Sequence, residues 1–233
     1  MDRITRKGLK QDRFARDVGQ TVEYVSEHRA QVTRYGIVAL ALVVLIGGFL
    51  GWRRHQRVAR QEALAAALDI QQTPLGAPTG DSGRIFATEE ERTKAELAAF
   101  TDLAARYSGS EEGTIAEYFV GTLAARQGNF SKAEKLLKQV AQSGASNYAA
   151  LARLALAEIC KSQGRLNEAE SLIRGLVDKP TEFVSREEAT IALARVVAMR
   201  SPAEARKLLE PLRTTRPAIG RAAIAELSEL PTR

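Results

Sequence analysis

The chain has 233 residues, 34 of them basic and 28 acidic, for a formal net charge of +6 and a pI near 9.6. Its single cysteine, Cys160, excludes an intramolecular disulfide and a cysteine-built metal site. Nucleic acid is a poor fit for the basic excess: residues 88–233 carry twenty-one basic and twenty acidic side chains and no arginine stripe with interleaved aromatics.

The excess lies upstream, where residues 1–34 carry eight basic and five acidic side chains and residues 35–87 carry five and three. Phe14, Val18, Val22 and Val25 recur in the first segment at spacings of four, four and three. That is a weak apolar stripe, which fits a surface-lying or partner-binding helix and fits disorder equally.

Residues 37–50 then form an uncharged apolar run, extended to eighteen residues by Tyr35, Gly36, Gly51 and Trp52. At the helical rise it spans roughly 27 Å, the thickness of a hydrocarbon core. Tyr35 and Trp52 stand where an interfacial aromatic belt falls, and Arg34, Arg53, Arg54, Arg57 and Arg60 flank the run as lipid head-group contacts. A buried core helix is normally shorter or carries a polar stripe. A cleavable signal sequence fits worse, because thirty-four residues precede the run and no clear small-residue cleavage site follows it. Residues 35–52 are therefore expected to be a single transmembrane anchor. Gly47 and Gly51 lie four apart on one face, where another transmembrane helix can approach, although glycine is common in such helices.

Residues 53–72 lack Gly and Pro and are rich in Ala, Leu, Gln and Arg, so the helix is expected to continue as a juxtamembrane segment. Pro74, Gly76, Pro78, Gly80 and Gly83 mark residues 73–87 as a linker. From residue 88 to 233 the chain is Ala- and Leu-rich with no convincing strand, and Thr88, Ser110 and Ser185 read as N-caps, the last opening a full capping box with Glu188.

The most specific signal is internal. Gln127 to Leu137 repeats as Gln163 to Ile173, with seven of eleven positions identical or conservative at an offset of thirty-six. The same step carries Ala133 to Ala169 to Ala205 and Leu136 to Leu172 to Leu208. Such a period, with two helices per unit, specifies a helical solenoid. Gly128 and Gly164 close the inter-helix turn, and Ala133 and Ala169 permit close approach.

The pattern resembles the tetratricopeptide repeat. In residues 114–147 the leucine-glycine pair stands as Val120-Gly121, the turn glycine as Gly128, the aromatic as Phe130 and the small residue as Ala133. Residues 150–183 keep Gly164, Leu166 and Ala169, whereas a third unit has Arg200 and Pro202 in place of the turn glycine and apolar residue, so its turn must differ. Leu97, Phe100, Leu103 and Tyr107 fit the second helix of a partial unit, and residues 222–230 a closing helix. The expected fold is all-α, a membrane-spanning helix followed by a helical-hairpin solenoid.

By position, the resemblance implies a protein-binding concave face formed by Ile115, Tyr118, Thr122 and Arg126 in one unit and Leu151, Leu154, Glu158 and Lys161 in the next. Several of these positions also suit a core. The lysine-asparagine carboxylate clamp of some such repeats is absent, since Tyr118 and Thr122, then Leu154 and Glu158, occupy its places.

No nucleophile with a positioned base, metal cluster or phosphate loop is present, so no enzymatic activity and no cofactor are expected. His28 and His55 border the apolar run, Cys160 suits inert packing, and the acidic groups Glu89 to Glu91 and Glu187-Glu188 fit helix first turns.

The whole layout, with one anchor ending in Gly51-Trp-Arg-Arg-His-Gln56, resembles the bacterial ancillary subunit family of the Sec translocon. The resemblance implies an inner-membrane protein with a cytoplasmic 1–34 segment and a periplasmic repeat domain, working beside the translocon and periplasmic folding factors. Charge alone leaves the orientation open: three basic residues precede the anchor within about twenty residues and four follow it. A cytoplasm-facing scaffold that recruits a soluble complex, and a non-catalytic subunit of a membrane enzyme, are the other readings.

Overall fold

The computed structural model describes residues 29–76, 85–144 and 146–231, which fall into two compact units divided between Ala59 and Arg60. The Phe14 to Val25 stripe, His28, Pro78, Gly80 and Gly83 lie outside the described residues. The described structure is helical, with no strand; its one β-type contact is an isolated parallel bridge between Leu75 and Phe86.

Helix α1, Arg29–Gln72, contains the apolar run without interruption. Its first part, to Ala59, forms the first unit. There the large apolar side chains from Tyr35 to Trp52 are exposed, with Ile37 at 62%, Val43 at 66% and Leu45 at 68%. Phe49 and Trp52 lie 6.3 Å apart, and the Arg53 guanidinium sits 5.7 Å from the Phe49 ring centre, a cation over a π face.

The second unit begins at Arg60 and not at residue 88. Residues 60–72 of α1 are not a free juxtamembrane helix: Ala67 and Ile70 are buried, and Ala67 shares a core cluster with Phe100 and Leu103 of α2 (Glu89–Arg106). The polar exposed face and small apolar inner face of this stretch make it the first helix of the partial unit that Leu97 to Tyr107 complete. The described ends of the expected linker are tied down as well. Thr73 is buried and donates its hydroxyl to the Asp69 carbonyl at 3.0 Å, while the Phe86 N–H donates to Pro74 and buries its ring.

Hairpins follow in series: α3 (Glu111–Arg126) with α4 (Phe130–Ala141), α5 (Ser146–Ser162) with α6 (Leu166–Asp178), and α7 (Arg186–Ala198) with the short α8 (Pro202–Leu209). A 3₁₀ turn, Glu210–Thr214, leads to the closing helix α9, Pro217–Glu229. From α2 onward each helix packs on the next, and the first helices α3, α5, α7 and finally α9 also touch in succession, which is the arrangement of a solenoid. Leu137, Val140, Leu156 and Ile159 fill the joint between the first two full hairpins, and Ile173, Leu176, Leu193 and Leu209 fill the later ones.

The turns explain the repeat's glycines. Gly128 and Gly164 have φ of +77° and +75°, and the following residues, Asn129 and Arg165, donate back to Ala124 and Cys160 at 2.9 and 2.8 Å. This is a Schellman ending, which needs the left-handed residue that glycine supplies. The third turn differs as its sequence requires: Arg200 has no positive φ, and Ser201 donates instead to Val197 at 2.8 Å and caps α8.

The N-caps stand where the sequence places them. The Thr88 hydroxyl accepts from Glu91 N–H and that of Ser110 from Gly113 N–H, while Ser185 and Glu188 exchange both bonds of a capping box. The Glu91 carboxylate reaches one residue further back, to Ala87 N–H at 3.0 Å. Ser185→Ala is expected to destabilise the fold by about 1 kcal/mol, read in a urea titration, with hydrogen-exchange protection lost first in α7.

Candidate protein-binding face

Two of the helices that touch in succession, α3 and α5, carry the positions expected to bind a partner. Tyr118 is half-buried and meets Tyr148 of α5 edge-on at 5.5 Å between ring centres. Thr122 is half-buried with its hydroxyl donated to the Phe119 carbonyl at 3.0 Å. Arg126 is exposed and reaches the buried Glu96 carboxylate at 3.8 Å. Glu158 is exposed and pairs with Lys161 at 2.5 Å, one turn along α5.

Leu151 and Leu154 are half-buried and pack on the core of the later hairpins. Ile115 is a correction: it is buried, 8% exposed, because the elements packed around α3 cover this end of the face it shares with Tyr118 and Thr122. It offers no surface to a partner.

Three rings missing from the expected set extend this face. Phe119 stacks on Phe100 at 4.5 Å, and Tyr148 meets the 46% exposed Phe183 at 5.6 Å. With Tyr118 they make a run of rings from α2 to the entrance of α7. Tyr148 and Phe183 are separated by about one repeat length and precede or open successive first helices, so the spacing was readable had aromatics been compared across units. Burial raises the Tyr118 and Tyr148 phenols above the ordinary tyrosine range, keeping both hydroxyls protonated and neutral. Burial likewise raises the Glu117 carboxyl.

Among the described residues no group of three or more His, Cys, Asp or Glu is placed to hold a metal. Cys160 is buried, its thiol 3.9 Å from the Glu168 carboxylate, and burial pushes its pKa up, away from a reactive thiolate.

Residues 33–189 match the tetratricopeptide repeat-like domain family. The chain belongs to that family. No curated protein and no solved structure matches it.

The tetratricopeptide-like match begins in α1 just before the apolar run and ends within α7. Domains of this kind are generally non-catalytic protein-binding scaffolds. The family's small positions do mechanical work here: Gly121 faces Leu137 so closely that a Cβ would lie 2.9 Å from the leucine Cγ. At Gly113 a Cβ would lie 2.2 Å from the Tyr107 carbonyl oxygen, so the turn into α3 requires glycine.

The arginines assigned to lipid divide. Arg34, Arg53, Arg54 and Arg57 are exposed. Arg60 is a correction, since its Nε donates to the buried Glu112 carboxylate at 3.0 Å and joins α1 to α3. Arg60→Gln is expected to lower the stability of the repeat unit by about 1–3 kcal/mol, because Glu112 is left with a buried charge and no partner. Thermal unfolding of the purified variant reads this, and membrane affinity should not change. Gly47 and Gly51 face open space, with nothing within 4 Å of a Cβ at either.

Proposed function

We propose that this chain is a membrane-tethered protein-binding scaffold, held in the bilayer by residues 35–52 and presenting the ring-lined face of its repeats to a protein partner. The observation that carries the tether is the exposure of the apolar helix. Its most apolar eighteen-residue window has a mean hydropathy of 2.2 and none of it is buried within the protein. Leaving ten large apolar side chains in water costs on the order of 10 kcal/mol or more, a cost that a hydrocarbon environment removes.

On this reading Arg34, Arg53, Arg54 and Arg57 contact lipid head groups, and the open Gly47–Gly51 face receives a second transmembrane helix. The layout and its Gly51 to Gln56 exit support a site of action at the bacterial inner membrane, with the repeats in the periplasm assisting protein translocation or folding beside the Sec translocon. A reporter that works only outside the cytoplasm, fused after Arg233, tests the orientation. Activity supports the periplasmic reading. Inactivity there, with activity of a cytoplasm-only reporter fused at the same place, overturns it and favours a scaffold that recruits a soluble complex, the arrangement to which the four arginines after the anchor would conform.

The partner face has its own test. A photocrosslinker in place of Tyr148 should capture one protein in cells, and the capture should weaken at least 10-fold when Phe183 is changed to Ser. Equal capture from Lys94, on the exposed side of α2, would count against the face.

A further inference from the structure

Arginines of the repeat unit are mostly matched to acids: Arg92 to Glu89 and Glu96, Arg165 to Glu134 and Glu168, Arg174 to Glu170, and Arg195 to Glu226. The C-terminal end breaks that pattern. Residues 88–199 carry fourteen basic and sixteen acidic side chains, whereas residues 200–216 carry five and two. Four of those five cations, Arg200, Arg206, Lys207 and Arg213, line one open cavity of about 930 Å³ formed by the α7–α8 turn, α8 and the 3₁₀ turn.

Among the described residues one carboxylate lines the cavity. It belongs to Glu210, and Arg213 takes it at 2.5 Å. Arg206 makes a single neutral contact, donating at 3.4 Å to the carbonyl of Pro231, which also borders the cavity. Arg200, Arg206 and Lys207 thus converge without a carboxylate in ion-pair reach among the described residues.

We propose that this cavity binds a phosphate-bearing anion. Three cations that line one cavity with no ion-paired carboxylate among the described residues repel one another, and a multiply charged anion relieves all three at once. A carboxylate supplies one negative charge and leaves most of the excess; a phosphate dianion or diphosphate supplies two or more. Two arginine forks match the tetrahedral oxygens in bidentate fashion, and the lysine adds a mobile point charge. The volume exceeds that of one phosphate, which suits either a phospholipid head group or a free polyphosphate. The site stands at the end of the solenoid, apart from the ring-lined face, and does not depend on the proposed partner.

Inorganic pyrophosphate titrated into the full chain in neutral detergent, followed by calorimetry, should bind with one site per chain. Arg206→Gln combined with Lys207→Gln should weaken it at least 10-fold. Lys94→Gln should leave it unchanged, and circular dichroism should show both variants folded. Hydrogen exchange on the chain reconstituted in vesicles then separates the sources. Protection of residues 200–213 by one-third phosphatidylglycerol in phosphatidylcholine identifies a lipid head group. Protection by pyrophosphate alone, equal in both vesicles, identifies a free phosphate compound. Absence of saturable pyrophosphate binding, or equal binding by the doubly substituted chain, overturns the site.

Discussion

Replacing Leu137 with alanine is expected to lower the unfolding temperature of the repeat unit by roughly 10 °C. Leu137 is fully buried and sits among side chains of α3, α4 and α5, including Ala124, Val140, Leu156 and Ile159. Truncation removes its transfer energy and leaves a cavity that three helices cannot all close, a loss of about 3–4 kcal/mol. A chain of this size shifts by about 2–4 °C for each kcal/mol.

The same residue sits against Gly121, and this makes the prediction specific. Gly121→Ala alone places a Cβ 2.9 Å from Cγ and 3.1 Å from Cδ2 of Leu137, which overpacks the joint by about 1–3 kcal/mol. In the Leu137→Ala chain those atoms are gone, so Gly121→Ala should cost almost nothing. Urea titrations of the four chains measure the coupling. Additivity within about 0.5 kcal/mol would show that the two helices do not meet there.

The second large effect concerns the proposed anchor. Leu42 and Ile46 are one turn apart on α1 and more than half exposed. Arginine at the middle of a membrane helix costs about 2.5–3.5 kcal/mol on insertion scales, and the apolar residue it replaces contributed about 0.3–0.6 kcal/mol in the opposite sense. Leu42→Arg with Ile46→Arg together oppose insertion by about 6 kcal/mol or more. The doubly substituted chain should leave the membrane pellet after carbonate washing, while the native chain stays. Retention of both in the pellet would mean that something other than the apolar helix holds them.

Much of the fold was legible because the repeat imposes local rules that one residue type satisfies. Gly128 and Gly164 announce two turns with positive φ, and Arg200 announces the turn that must do without it. Ser110 and Ser185 announce helix starts through hydroxyl geometry that depends only on neighbours three residues away. What escaped was set by contacts distant in sequence. Arg60 looks like a lipid-facing cation beside Arg57, and only the fold brings Glu112, fifty-two residues on, against it. Ile115 lies on the same helical face as Tyr118 and Thr122, three and seven residues on, so spacing alone did not separate it from them, and only the packing of the fold buries it. The boundary at Arg60 was hidden because the composition of residues 53–72 is even, while its packing is not. Phe119, Tyr148 and Phe183 belong to three segments whose rings meet only after the hairpins stack.

Cys160 gives the most direct access to the central claim, that lipid covers the apolar helix, because the chain's one native thiol is buried and 3% exposed. Single cysteines are introduced as Val44→Cys in the helix and Phe183→Cys in the repeats, and reconstituted vesicles opened to both faces are treated with a charged, water-soluble maleimide. Phe183→Cys should label readily and Val44→Cys at least 100-fold more slowly. Labelling of the two at equal rates would place the apolar helix in water and contradict the tether.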